Sequence, residues 1–335
     1  MRKISVVTPC YNEELNIREC YNAMRDVFEK FLPNYEREHV FCDNASTDGT
    51  LEILRDIAKT DPCVKVIVNA RNFGPMRSNY NGVMAATGDA VLLFLPADLQ
   101  DPPSLLPQFV KLWEQGFEVV FGIRAQRNEP WLMRTMRFAY YRILTGLTHL
   151  TTPPGVGDFQ LVDRKVVEAM RQIEDAYPFL RMMTFECGYT SVGVPYVWQA
   201  RKRGFSKNSL TRLVDQGLNG IITYTNSPVR AVLLAGFAIA TLAILYALVN
   251  LILGIFLYQK LAEPGIFSII VAVFFFGGVQ LFVTGLLGEY ILAIYAQVRK
   301  KPVVFERERI NFDNSADRTH SSGAFRKESG PLGPT

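Results

Sequence analysis

The chain has 335 residues and a formal net charge of +4, with hydrophobic residues making up 49%. That length holds a full-sized domain with something added, and so mild a charge excludes a nucleic-acid binder that works by bulk electrostatics. Five scattered cysteines (Cys10, Cys20, Cys42, Cys63 and Cys187) are odd in number and lack C-x-x-C spacing, which excludes a disulfide framework or zinc site and fits reduced thiols.

The N-terminus runs into a strand pattern without a basic segment and apolar h-region, so no cleavable signal peptide is expected. Ile4-Ser5-Val6-Val7-Thr8 is a β-branched run stopped by Pro9, and Asn12-Glu13-Glu14 opens a helical pattern to about Lys30. Val40-Phe41-Cys42 reads as a second strand ending in Asp43-Asn44-Ala45-Ser46-Thr47-Asp48-Gly49-Thr50. Thr47 or Asp48 then caps a helix with Leu51, Leu54, Ile57 and Ala58 on one face. Val64 to Val68 is a third strand, followed by Arg71-Asn72-Phe73-Gly74 and a helix ending near Gly88. The fourth run, Ala90 to Leu95, is apolar throughout, as a strand buried on both faces should be. It leads into Pro96-Ala97-Asp98-Leu99-Gln100-Asp101-Pro102-Pro103. On an extended segment Asp98 and Gln100 point the same way and could share one hard cation; a plain turn is an equal reading of that stretch alone. A helix from Ser104 to Gln115 and a fifth strand, Val119 to Gly122, complete a βαβα alternation. Such alternation implies a parallel sheet with helices on both faces and a ligand crevice at the carboxyl ends of its strands.

Beyond Arg124, Trp131 to Leu147 reads as an aromatic, basic helix, broken by Thr151-Thr152-Pro153-Pro154-Gly155. Gly157 to Val162 is a short strand, a helix follows from about Arg164 to Ile173, and Val192 to Gln199 is a further strand. Between Ser209 and Ile222, Leu210, Leu213, Val214, Leu218, Ile221 and Ile222 recur at helical spacing, which predicts an amphipathic helix lying in a membrane interface. Val229 to Tyr258 and Ile266 to Tyr295 each exceed the ~20 residues a bilayer core requires, so a transmembrane hairpin is expected. Arg201, Lys202, Arg203, Lys207, Arg212, Arg299, Lys300 and Lys301 flank it on one side, which assigns that side, with both termini, to the cytoplasm. The expected organisation is therefore a catalytic domain over 1–205, an interfacial helix and linker over 206–227, the hairpin over 228–298, and a basic segment with a disordered tail over 299–335.

These segments together resemble the membrane-associated family 2 glycosyltransferases that load a sugar onto a polyprenyl phosphate, the group of dolichyl-phosphate mannose synthase and the GtrB-like and ArnC-like transferases. The resemblance spans roughly residues 4 to 305 and rests on Val7-Thr8-Pro9-Cys10-Tyr11-Asn12-Glu13, the Asp43 to Thr50 loop, Arg71-Asn72-Phe73-Gly74, Ala97 to Pro103, Gly157-Asp158-Phe159 and Arg201-Lys202-Arg203-Gly204-Phe205-Ser206-Lys207. It implies a GT-A type α/β domain with a mainly parallel sheet. Pro9, Tyr11, Glu13, Asp43 and Asp98 would hold a UDP- or GDP-linked sugar, and Asp98 and Gln100 a divalent metal, Mg²⁺ or Mn²⁺. Asp158 matches the family's catalytic Asp. For the acceptor's phosphate the residues singled out are Arg124, Arg134, Arg201, Ser206 and Lys207. A homo-oligomer is implied by resemblance alone.

Three departures stand out. Pro96 occupies the first metal-ligand position and cannot ligate through its side chain, so metal binding is expected to be weakened. Asn44 replaces a frequent Asp, and Gln160 replaces a frequent Arg near Asp158. Asp101, the nearest spare carboxylate, reads as a turn residue before Pro102-Pro103. The expected activity is inverting transfer of one sugar to undecaprenyl or dolichyl phosphate at the cytoplasmic face. A catalytically impaired membrane scaffold or nucleotide-sugar sensor is the alternative that Pro96 favours, while a processive synthase is disfavoured by the absence of a Gln-x-x-Arg-Trp motif and of further spans.

Overall fold

The computed structural model describes residues 1–126, 156–173, 175, 177–198, 238, 242, 266–299 and 301–312. One eight-stranded sheet runs through it in the order β7-β5-β6-β4-β1-β2-β3-β8. In chain order its first half comprises β1 (Arg2–Cys10), α1 (Ile17–Phe31), β2 (Tyr35–Asp43), α2 (Thr50–Thr60), β3 (Val64–Asn69), α3 (Pro75–Ala85) and β4 (Ala90–Leu92). A 3₁₀ turn over Pro103–Leu105 leads into α4 (Leu106–Glu114), followed by β5 (Val119–Gln126), β6 (Val156–Asp163), α5 (Arg164–Arg171), α6 (Leu180–Glu186) and β7 (Ser191–Val197). The long helix α7 (Ile266–Val298) and β8 (Glu306–Ile310) close the described chain.

β1 pairs in parallel with β2 and β4, β2 with β3, and β5 with β7. β6 lies antiparallel between β4 and β5, and β8 antiparallel on β3. The sheet is thus mainly parallel, as the α/β alternation predicts, with two reversed strands that alternation cannot reveal. Strand pleating explains the layers. Ile4 and Val6 face one side with Met24, Phe28, Phe109 and Trp113 of α1 and α4, whereas Val7 faces the other with Val83, Val166 and Met170 of α3 and α5. A third cluster packs Leu54 and Ile57 of α2 on Phe41, Val66 and Val68.

Several boundaries differ from the sequence reading: β1 is not stopped by Pro9 but pairs on through Cys10, β2 begins at Tyr35, and β5 reaches Gln126. β4 ends at Leu92, three residues early, although Leu93 N–H still donates to Gln160 O (2.8 Å) and Leu95 N–H to Val7 O (2.8 Å). The helix after β3 stops at Ala85, short of Gly88, which abuts β1 where any side chain would meet the Ser5 backbone. The segment read as a basic stretch and tail contains β8, which completes the sheet edge.

No membrane span is shown among the described residues. The first arm of the expected hairpin and the interfacial helix lie outside them, apart from two isolated positions. The second arm coincides with α7, 33 residues long, on which Ile269, Val273, Leu287, Ile291 and Leu292 are exposed.

Candidate active site

β1, β2, β3 and β4 end on one edge of the sheet because they run parallel, and β6, running the other way, begins there. The chain order reverses between β1 and β4, the switch point where open sheets leave a crevice. Three of the loops on this edge carry non-glycine residues in the left-handed region: Asn12 (φ 55°), Ala45 (φ 60°) and Leu99 (φ 57°). Such conformations cost about 1 kcal/mol or more and persist where surrounding contacts impose them.

The β1 and β2 loops are bolted together. Asn12 N–H donates to Ser46 Oγ (3.0 Å), Thr47 N–H to Asn12 Oδ1 (2.8 Å) and Glu13 N–H to Thr50 Oγ1 (2.8 Å). Asp48 accepts from Thr50 N–H (3.0 Å), the turn role its position before α2 suggests. Glu13 accepts from Asn16 Nδ2 (2.7 Å), and Tyr11 and Pro9 are half-buried beside it.

Asp43 is fully buried; one carboxylate oxygen accepts from Ser46 N–H (3.2 Å), and the other, Oδ1, has no partner among the described residues. Burial pushes its carboxyl above the ordinary aspartate value, more than the Ser46 hydrogen bonds pull it down. Buried acceptors are nearly always matched, so Oδ1 is placed to accept an N–H or O–H from water or from a ligand. Asn44 works as a staple: Nδ2 donates to Asn72 Oδ1 (2.9 Å), and Oδ1 accepts from Asn69 Nδ2 (3.1 Å) and Phe73 N–H (2.9 Å). A charged Asp there could not make the donating half of that set.

After β4, Leu99 N–H donates to Pro96 O (3.0 Å), which curls the loop, and Gln100 N–H lies 3.3 Å from Asp98 Oδ1. Asp101 is no surface turn residue. Its carboxylate is buried, accepts two bonds from Arg124 Nη2 (3.2 and 3.0 Å) and one from the Tyr196 hydroxyl, while Arg124 Nε donates to Tyr196 Oη (3.1 Å). The guanidinium also lies over Trp198, 5.5 Å from the ring centroid. Arg124, read as a phosphate binder, is therefore anchored to the loop that carries Asp98.

Asp158, the third residue of β6, lies beside Arg124: a Cβ on the neighbouring Gly157 would lie 3.5 Å from Arg124 Nε. Burial alone would raise the Asp158 carboxyl, but Arg181, which donates from Nε (3.0 Å) and Nη2, holds it below the ordinary value, with help from Arg124. Gln160 is buried and braces α6, with Nε2 on Gly157 O (3.0 Å) and Oε1 accepting from Thr184 Oγ1 (2.8 Å).

Sequence reasoning missed Arg181 and Tyr196. No motif marks Arg181 within Leu180-Arg181-Met182, and only the packing of α6 on β6 brings it to Asp158. Arg134, Arg201, Ser206 and Lys207 lie outside the described residues. For a divalent metal, the described residues offer no cluster of three acidic, His or Cys side chains. Asp98 with Gln100 fits only a hard cation that takes its other ligands from water and the substrate's phosphates.

The description "Glycosyl transferase family 2" matches residues 5–171. The chain is 33% identical over 311 residues to "Uncharacterized glycosyltransferase YkcC" of Bacillus subtilis (strain 168), covering 92% of this chain and 95% of that protein. It is 33% identical over 302 residues to the "SfII prophage-derived bactoprenol glucosyl transferase" of Shigella flexneri, with 90% and 96% covered. Among solved structures, a mannosyltransferase from Pyrobaculum calidifontis, in complex with GDP-Man and Mn²⁺, matches 89% of this chain and 86% of its own at 18% identity and a TM-score of 0.46.

Proposed function

We propose, on the premise that this chain belongs to glycosyl transferase family 2 and is a glycosyltransferase, that it moves one sugar from a nucleotide-sugar onto the phosphate of a polyprenyl phosphate with inversion. The observation that carries this reading is the gathering of Asp43, Asp98 and the Asp158–Arg181 pair on one sheet edge, with Arg124 anchored between the last two. The relatives named bactoprenol glucosyl transferase supply the acceptor class and suggest glucose.

Asp43 takes the nucleoside through its unmatched oxygen, with Pro9, Tyr11 and Glu13 walling that end. Asp98 and Gln100 would hold a divalent cation, which, when bound, supplies Lewis-acid stabilisation of the departing diphosphate. Arg124 adds fixed positive charge beside it. An acceptor phosphate monoester has a second pKa near ~6 and is largely dianionic at neutral pH, so its oxygen attacks without a general base. The bond from the anomeric carbon to the donor phosphate breaks as the bond to the acceptor oxygen forms, and no proton changes hands. Asp158, kept ionised by Arg181, orients the sugar and offsets positive charge developing on its ring.

Membrane residence belongs to the same proposal. α7, about 50 Å long at 1.5 Å per residue, exposes large apolar side chains along its length, as a helix in lipid does. The hairpin over 228–298, the interfacial helix over 206–227, a cytoplasmic catalytic domain with both termini on that side, and a homo-oligomer complete it.

The test is the full-length protein in nanodiscs with a panel of UDP- and GDP-sugars, undecaprenyl or dolichyl phosphate, and Mg²⁺ or Mn²⁺. A chloroform-soluble sugar lipid is expected, lost in Asp158→Asn. No product from any donor overturns the reading. If the wild type is inert and Pro96→Asp gains activity, the impaired scaffold or sensor is the better account.

A further inference from the structure

We propose that the segment after α7 is a strap that positions the nucleotide subsite, with Phe305 as its positioning residue; the identity of the ligand rests on the function proposed above, whereas the strap itself does not. β8 pairs Ile310 with Val66, Arg309 with Ile67, Glu308 with Val68 and Glu306 with Asn69, and the register shifts between Val68 and Asn69, where β3 gives way to the Arg71–Gly74 loop. A bulge at that point re-aims the chain that follows.

The strand is not there for its hydrophobic burial. Glu306-Arg307-Glu308-Arg309-Ile310 alternates half-buried and exposed, and only Ile310 packs on a core cluster. Its bonds concentrate at the two ends. At the far end Asn311 Nδ2 donates to Ala58 O (2.7 Å) and Val64 O (2.9 Å), while Glu308 in mid-strand pairs with Arg55 (2.6 Å). At the ligand end Ala70 N–H donates to Phe305 O (2.8 Å), and Glu306 accepts from Asn81 Nδ2 of α3 (2.5 Å). There the Phe305 ring lies 6.2 Å from that of Phe73, which Arg71 covers from 4.0 Å.

The contacts continue into the subsite. Phe73 N–H is the group that donates to Asn44 Oδ1, and Asn72 Oδ1 accepts both Asn44 Nδ2 and Gly74 N–H (2.9 Å). Asn44 adjoins Asp43, whose free oxygen marks the nucleoside's place. Loosening Phe305 therefore releases Phe73, then the Asn44 staple, then the loop that starts at Asn44, directly after Asp43 at the end of β2. A loop populated in its competent form only part of the time binds its ligand correspondingly less tightly.

Full-length wild type, Phe305→Ala, Phe305→Tyr and Arg55→Ala would be compared by hydrogen exchange without ligand and by titration with UDP and with GDP. In Phe305→Ala the amides of Phe73 and Gly74 should exchange faster, and affinity for the nucleotide that binds should fall about 3- to 10-fold. Phe305→Tyr should restore both. Arg55→Ala, which cuts an exposed pair at mid-strand, away from Phe73, should change neither, so a general loss of strand stability is distinguished from a positioning effect. Unchanged exchange at Phe73 and Gly74 in Phe305→Ala overturns the strap whether or not nucleotide binds, as does faster exchange with unchanged affinity. If the wild type binds neither nucleotide, the functional reading fails on its own and the exchange result alone decides the strap.

Discussion

Asp43 is held where water would solvate it better, and folding raises its pKa for that reason. The folded state consequently grips the proton harder than the unfolded chain does, so the penalty is in force above the folded pKa and fades as pH falls through it. Asp43→Asn should raise the melting temperature of the ligand-free protein at pH 7 by about 2 °C and weaken UDP or GDP binding about tenfold or more. Scanning fluorimetry with and without nucleotide reads both, and the gain in stability should disappear toward the acid end of the titration. Asp158 has the opposite sign: Arg181 depresses its folded pKa, and the stability this contributes is present above the unfolded value and lost as pH falls through the folded one. With Arg181→Gln, burial is left unopposed apart from Arg124. The acid limb of the kcat profile should then move to higher pH and kcat fall about tenfold or more, with partial recovery in Arg181→Lys. A pH–rate profile unmoved by Arg181→Gln would show that the pair does not set the charge at the reaction centre. The Arg181 partner was not legible from the chain, because it is 23 residues from Asp158 and joined to it only through the fold.

At the level of elements, α3 is packed hard against the strands that lead to Asp43. A Cβ at Gly82 would fall 2.3 Å from Cys42 Sγ and 2.7 Å from Val7 Cγ1, so the helix rests directly on β1 and β2. Gly82→Ala gains about 1 kcal/mol of helix propensity but overpacks a contact between rigid layers, at about 1–3 kcal/mol. The expected net effect is destabilisation of about 1 kcal/mol in urea titrations, with weaker nucleotide binding because Cys42 immediately precedes Asp43. Apolar runs made β1, β2, β3 and β5 readable, and helical spacing did the same for α1, α2 and α4. β6 was readable as a strand but not as a reversed one, since direction is decided by which partner it meets and not by its own residues. β8 was unreadable because Glu-Arg-Glu-Arg has no apolar face to betray it. Asp101 was misplaced for a related reason: a carboxylate before two prolines looks like a turn, and only Arg124 and Tyr196 make its burial tolerable.

For the molecule as a whole, motif order anticipated which carboxylates share one edge of the sheet. Asp43, Asp98 and Asp158 lie far apart in sequence and share one edge because parallel strands bring their ends together and β6 enters from the other direction. What the sequence pattern could not disclose was how the stretch after α7 is used. β8 lies beside a strand made some 240 residues earlier, as the pairing of Ile310 with Val66 shows. During synthesis that pairing must wait until the ribosome has released α7 and the residues beyond it, whereas β1 to β4 are complete long before. Loops closed over such separations form late. The sheet edge next to the Arg71–Gly74 loop therefore stays open through most of translation and is sealed only after α7 has emerged.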